Sequence, residues 1–86
     1  TQAKTLFPYT TLFRSGRVDL ALKSKNGKLP NYIFEFKVSN KKEELEEDCK
    51  KALAQIEEKK YDFENKNPVK VGMSFHGKEF EILIKE

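Results

Sequence analysis

One segment of the chain has the apolar periodicity of a helix: NKKEELEEDCKKALAQIEEKK (residues 40–60). The segments before and after it have the alternating pattern of β-strands. Its apolar residues recur at steps of three and four, which predicts an amphipathic helix with one buried stripe. Asn40 is expected to cap this helix, with Glu43 closing a capping box. A helix placed among strands covers one face of a sheet, and this restricts the chain to a small set of folds. The stripe consists of Leu45, Cys49, Ala52, Leu53 and Ile56.

Four segments alternate apolar and polar residues with the period of two that is typical of β-strands. They are RVDLALK (17–23), NYIFEFKVS (31–39), VKVGMSF (69–75) and EFEILIK (79–85). Between the first two, Asn26-Gly27 is a strong hairpin signal. The predicted order is therefore β-β-α-β-β. The predicted fold class is α/β (α+β), with a mixed sheet of four strands and one covering helix.

The start of the chain, TQAKTLFPYTTLFRS, has neither a helical nor a strand period, and it has no cleavage site of the signal-peptide type. Within it, the residues TLFPYTTLFRS (5–15) match the translation of a DNA sequencing adapter without a mismatch. We therefore interpret residues 1–15 as a non-native leader that replaced the true upstream sequence. Residues 16–86 are interpreted as the C-terminal part of one domain.

Charge and cysteine content exclude some classes of function. The chain has 17 Lys and Arg against 14 Asp and Glu, a formal net charge of +3. Two of the basic residues, Lys4 and Arg14, belong to the leader, so net charge does not predict steering toward nucleic acid. No apolar run is long enough for a membrane helix, so no membrane partner is expected. The single Cys49 excludes an internal disulfide and predicts a reducing, cytoplasmic location.

Two charged residues, Glu35 and Lys37, share one face of the apolar strand YIFEFKV. The common explanation for such alternation is a sheet face that meets water. If the helix covers that face, however, these residues and Asp19 of the preceding strand need partners, because unpaired buried charges are costly. Two neighbouring carboxylates also repel each other unless a cation lies between them. Mg²⁺ prefers oxygen ligands and activates water for attack on a phosphodiester, so it satisfies both requirements.

The proposed metal site depends on the register of the first hairpin. A two-residue turn at Asn26-Gly27 would pair Asp19 with Phe34, and directly paired residues share a face. Asp19 would then point away from Glu35. We therefore predict a register shifted by one residue, supplied by a three-residue loop with its bulge or by an irregularity at Leu29-Pro30.

The sequences GRVD on one strand, EFK on the next and ALAQIEEKKY on the helix resemble the PD-(D/E)XK nuclease superfamily, and the resemblance covers residues 16–86. More narrowly, the chain resembles the C-terminal nuclease-like domain found behind an AAA-ATPase-like domain in many bacterial proteins. This resemblance implies a restriction-endonuclease-like core, a Mg²⁺ cofactor with Mn²⁺ as a substitute, and DNA as a partner. It also implies an ATPase-like domain upstream in the native chain.

The resemblance assigns roles to five residues. Asp19, Glu35 and the backbone carbonyl of Phe36 would be metal ligands. Lys37 would be the catalytic lysine, and Gln55 would match the glutamine that RecB-like members carry on this helix.

The chain departs from the family pattern at three places. Val18 stands where the name of the motif has proline. Lys59 stands where a tyrosine usually follows the helix glutamine, and Tyr61 lies two residues beyond it. The acidic upstream helix and the first core strand of the family would precede Gly16, so the resemblance implies a truncated core that is inactive by itself.

Three functions are therefore open. The first is a Mg²⁺-dependent nuclease core that hydrolyses DNA phosphodiester bonds through a metal-activated water. The second is a non-catalytic module of the same fold that binds nucleic acid or docks on an ATPase domain. The third is a plain interaction domain in which the EFK sequence lies on the surface.

Overall fold

The computed structural model describes residues 7–13, 18–59 and 67–86. These residues form one mixed sheet of five strands, with one α-helix on one of its faces. Strands β3 and β4 are parallel, and the other neighbouring strands are antiparallel. The predicted α+β fold with one covering helix is confirmed. In spatial order the strands are β1 (Tyr9–Phe13), β2 (Leu20–Ser24), β3 (Tyr32–Val38), β4 (Val69–His76) and β5 (Glu79–Lys85).

Strand β1 corrects the prediction for the start of the chain. Tyr9 lies opposite Ser24 and Phe13 lies opposite Leu20, so β1 pairs with β2 along its full length. The expectation that residues 1–15 hold no strand, and that the sheet has four strands, was wrong. The segment YTTLF is rich in residues that favour extended backbone. The open edge of β2 also offers unpaired backbone groups that an extended segment can satisfy.

Helix α1 (Leu45–Lys59) buries the stripe that its spacing predicts. Leu45, Cys49, Ala52 and Ile56 are buried, and Leu53 packs against the main apolar cluster. The predicted cap was wrong. A 3₁₀ turn (Lys42–Glu44) precedes α1, and its N-cap is Lys41, with no side-chain hydrogen bond. Asn40 therefore lies one residue too early to reach the first free N–H groups. Within the described part of the chain, no helix is long and apolar enough to span a membrane.

Gly72 of β4 allows α1 to approach the sheet closely. A Cβ atom at this position would stand 2.6 Å from the carbonyl oxygen of Cys49 and 3.2 Å from the Cβ of Ala52. One turn of helix away, the hydroxyl of Ser74 donates a hydrogen bond of 2.6 Å to the carbonyl oxygen of Leu45. The helix is thus held directly above β4, and its flank extends over the neighbouring strand β3.

The β2–β3 hairpin has the shifted register that the sequence analysis predicts. Leu20 lies opposite Phe34, one residue away from the pairing that a two-residue turn would give. The connection is residues 25–31, which is longer than the three-residue loop that the sequence analysis predicts. Its first part is closed by the Asn26 side chain, whose Oδ1 accepts a hydrogen bond of 2.9 Å from the N–H of Lys28. Gly27 follows at φ 72°, a left-handed conformation that favours glycine.

The opposite face of the sheet is apolar, and none of the described elements covers it. A row of aromatic rings crosses it from β1 to β4, with neighbouring centroids 5.9 to 6.4 Å apart. The charged residues of β3 therefore lie on the helix side, and the aromatic residues lie on the open side. The row consists of Tyr9, Tyr32, Phe34, Phe36 and Phe75.

Candidate active site

The register of the β2–β3 hairpin has the offset that the two predicted carboxylates require. Its pairing begins at Leu20, opposite Phe34, and the same register continued by one residue would set Asp19 opposite Glu35. Directly opposite residues share a face of the sheet. The Oδ2 atom of Asp19 also accepts a hydrogen bond of 2.9 Å from the backbone N–H of Phe36. This bond holds the start of β2 against β3 and fixes one oxygen of the Asp19 carboxylate.

Glu35 is buried on the face that α1 covers, with only 5% of its surface exposed. Its carboxylate pairs with the ammonium group of Lys59, whose Nζ lies 3.2 Å from Oε2 and 3.4 Å from Oε1. The explanation of the charged face as a solvated surface is therefore wrong for Glu35. The pairing residue comes from the last turn of α1, so the helix supplies the compensating charge.

Lys37 lies two residues beyond Glu35 on the same face of β3 and is half-buried. It makes no hydrogen bond or ion pair with any residue in the described ranges. Its ammonium group is therefore available to a ligand that reaches this face. Phe36, between the two, directs its side chain to the open face, where its ring stacks at 6.2 Å from that of Phe34.

Two contacts show how α1 runs past β3. Near the start of the helix, the hydroxyl of Ser39 donates a hydrogen bond of 2.7 Å to Oδ2 of Asp48. At the end of the helix, Lys59 reaches Glu35. As the helix advances, its strand partner moves toward the start of β3, so the two elements run in opposite directions. The side of α1 that carries Asp48 and Lys59 therefore faces β3.

This geometry sets the position of Gln55. One helical turn separates Gln55 from Lys59, a distance of about 6 Å along the axis. Two strand residues separate Lys37 from Glu35 in the same direction, which is about 6.6 Å. Gln55 thus lies about level with Lys37, on the flank of α1 that faces β3. It makes no hydrogen bond to Asp19, Glu35 or Lys37 within the described structure.

Lys59 is the residue at this site that sequence reasoning missed. Its place one turn after Gln55 marked it only as a departure from the family pattern, and nothing in the sequence identified Glu35 as its partner. That pairing depends on how α1 lies over the sheet, which it approaches closely at Gly72. Tyr61, the other residue named for this departure, lies outside the described residues.

The oxygen donors predicted at this site are of the chemical type that a small divalent cation prefers. In residues 7–13, 18–59 and 67–86 there is no group of three or more His, Cys, Asp or Glu side chains that could hold a metal ion. The candidate set is smaller: the carboxylates of Asp19 and Glu35 and the carbonyl of Phe36. All three are oxygen donors of the kind that Mg²⁺ takes, with water in its other positions. The buried Glu35 already pairs with a cationic group, so this position favours positive charge.

A mixed sheet of five strands, with one helix between its two parallel strands, is the arrangement of a restriction-endonuclease-like class of protein. A family model for the PD-(D/E)XK nuclease superfamily matches residues 11–85, and the chain belongs to this superfamily. Nucleases of this superfamily generally use divalent metals. No curated protein and no solved structure gives a significant match to the chain.

Proposed function

We propose that this chain is the core of a Mg²⁺-dependent nuclease that hydrolyses DNA phosphodiester bonds through a metal-activated water. The observation that supports it best is the shifted register of the hairpin, which would oppose Asp19 and Glu35 on one face if it continued one residue beyond Leu20. Lys37 stands on the same face with no internal partner among the described residues. Membership in a nuclease superfamily makes nucleic acid the substrate class to test.

Each residue of the site has a distinct part in this proposal. Asp19, Glu35 and the Phe36 carbonyl would hold Mg²⁺, with Mn²⁺ as a substitute. The bound ion supplies Lewis acidity, which acidifies coordinated water and neutralises charge on the phosphate. The Lys37 ammonium donates hydrogen bonds to a phosphate oxygen and stabilises the negative charge that develops there. The Gln55 amide, level with Lys37, orients the attacking water or the phosphate.

The proposal extends to the setting of the domain. Residues 16–86 would be the C-terminal part of the nuclease-like domain, with an AAA-ATPase-like domain upstream in the native chain. The unpaired, buried Cys49 is consistent with a cytoplasmic location.

A second function keeps the fold without the chemistry. In this case the chain is a non-catalytic module that binds nucleic acid or docks on an ATPase domain. The ion pair between Lys59 and Glu35 favours it, because a carboxylate that already has a cationic partner does not require a metal.

Cleavage of a labelled DNA by the full-length protein, which includes the native sequence upstream of residue 16, with Mg²⁺ or with EDTA, separates the two functions. The proposal predicts cleavage that requires Mg²⁺. It also predicts a loss of about 100-fold or more in Glu35→Ala and Lys37→Ala, with DNA binding retained. Lys50→Ala is a matched control, since Lys50 lies on the exposed side of α1 and pairs only with Glu46. DNA binding without cleavage by the wild type favours the non-catalytic module. Absence of both DNA binding and cleavage contradicts the nuclease and the nucleic-acid-binding module alike.

A further inference from the structure

The ion pair between Lys59 and Glu35 joins the last turn of α1 to the middle of β3. We propose that Lys59 is an internal counter-ion for Glu35. Its ammonium group occupies the position that the divalent cation would take and competes with that cation for Glu35. The inference rests on the proposed metal site. It adds a positioning residue, Lys59, which controls how tightly that site takes up a metal.

The contact covers the part of Glu35 that a metal would use. The ammonium nitrogen lies 3.2 Å from one carboxylate oxygen and 3.4 Å from the other, so it donates hydrogen bonds to both. Within the described part of the chain, Glu35 has no other hydrogen-bond partner. The Glu35 side chain is 7% exposed, so water cannot compensate its charge either. Lys59 is therefore the group that pairs with this carboxylate and orients it when no metal is bound.

The ammonium group and a divalent cation compete for this carboxylate. Their charges have the same sign, and Coulomb repulsion is strong at a site shielded from water. Metal binding at Glu35 is thus favoured when Lys59 withdraws. The loss of its ion pair counts against the free energy of metal binding, so the metal affinity is lower than the oxygen ligands alone would give.

Lys59 is placed so that it can withdraw. Its side chain is 36% exposed, against 7% for Glu35, so the ammonium has a path to water. The four-carbon stem of lysine is flexible and carries a point charge with no fixed geometry. The carbonyl groups at the C-terminal end of α1 also favour a nearby cation, which offers the displaced ammonium a second location. The exchange is therefore a movement of one side chain rather than of the fold.

Titration of the full chain with Mn²⁺ alone, followed by the loss of the electron paramagnetic resonance signal of free Mn²⁺, tests this inference. Lys59→Met is expected to bind Mn²⁺ about tenfold or more tightly than the wild type, because one repelling charge is gone. Lys59→Gln keeps a hydrogen-bond donor for Glu35 without the charge, and we expect the same direction. It serves as the second variant if Lys59→Met does not fold. Lys50→Met makes the same charge change on the exposed side of α1 and is expected to match the wild type.

The outcomes separate this inference from the nuclease proposal. If the wild type binds Mn²⁺ and loss of the Lys59 charge leaves the affinity unchanged or weakens it, the counter-ion role is wrong and the nuclease proposal stands. If the wild type binds no Mn²⁺ and the Lys59 variants do, the counter-ion role is supported. The lysine has then replaced the metal, and the nuclease proposal fails. Absence of binding in every variant overturns both.

Discussion

The Asp19 carboxylate accepts a hydrogen bond from the backbone N–H of Phe36 at 2.9 Å. The structural role of Asp19 requires only one oxygen that accepts this hydrogen bond, whereas the proposed metal site requires the negative charge of the carboxylate. The two roles can be separated by substitution. Asp19→Asn keeps a carbonyl oxygen that can accept the bond, so we expect the free energy of unfolding to fall by less than about 1 kcal/mol. Asp19→Ala removes the acceptor, and we expect a loss of about 1–2 kcal/mol. Both variants should lose Mn²⁺ binding.

Urea unfolding of the two variants, together with Mn²⁺ titration, checks this prediction. If Asp19→Asn and Asp19→Ala lower the free energy of unfolding equally, a neutral oxygen at this position does not stabilise the fold by accepting the hydrogen bond from Phe36. Retained Mn²⁺ affinity in Asp19→Asn would remove this residue from the metal site.

The pair between Lys59 and Glu35 also makes a prediction about stability without metal. Lys59→Met leaves the Glu35 carboxylate buried without a partner. We expect the free energy of unfolding to fall by about 1–2 kcal/mol, less than for a fully buried pair because the lysine side is open to water. Adding Glu35→Gln removes the orphaned charge and should recover part of the loss. Urea unfolding in EDTA measures all the variants.

Lys50→Met is the matched control, and it should change the free energy of unfolding by less than about 0.5 kcal/mol, since its pair with Glu46 is exposed. If the double variant at Lys59 and Glu35 is less stable than Lys59→Met alone, the buried charge is not the cause of the loss.

Because α1 packs closely on β4, we expect one added methyl group at Gly72 to lower the free energy of unfolding strongly. In Gly72→Ala the new Cβ would stand 2.6 Å from the backbone oxygen of Cys49, and backbone cannot move aside as a side chain can. We expect a loss of about 3 kcal/mol in the free energy of unfolding. Gly77→Ala is the comparison, because it adds the same methyl group where no atom lies within 4 Å. It meets only the backbone strain of φ +61°, about 1 kcal/mol. Similar losses in the two variants would contradict the close approach of α1.

The parts of this fold that the sequence predicts are those governed by local repeats. The stripe of α1 follows from steps of three and four residues, and Leu45, Cys49, Ala52 and Ile56 are buried as expected. The strands follow from alternation, and the tight turn after His76 follows from Gly77. The register of the first hairpin was predicted from chemistry, because Asp19 and Glu35 can act together only if it shifts by one residue.

What the sequence did not predict depends on contacts between distant segments. Strand β1 exists because the edge of β2 accepts an extended partner, and the weak pattern of Tyr9–Phe13 gives no signal of this. The partner of Glu35 is 24 residues away in the chain, and only the tilt of α1 over the sheet selects Lys59. The roles of Asp19, Glu35, Phe36, Lys37 and Gln55 all stay predictions, since they concern a substrate and a metal.

Glu57, on the outer side of α1, links stability to pH. Its carboxylate accepts a hydrogen bond of 2.7 Å from the Lys70 ammonium and lies 3.1 Å from that of Lys85. These two groups, with the Lys70 bond as the larger cause, lower the pKa of Glu57 from its ordinary value of 4.5. A carboxyl group whose pKa is lower in the folded state than in the unfolded state stabilises the fold at pH values above its unfolded pKa. This contribution is lost as the pH falls through the folded pKa.

Glu57→Gln should therefore reduce the free energy of unfolding at neutral pH, and the difference from the wild type should shrink as the pH falls below 4.5. Urea unfolding of both proteins across this range measures the effect. Salt should weaken it, because the three charged groups are near the surface. Glu58→Gln makes the same change at a neighbouring exposed residue that has no ion pair within the described ranges, so its difference should stay close to zero. A Glu57→Gln difference that is constant with pH would mean that the two lysines do not act through the charge of Glu57.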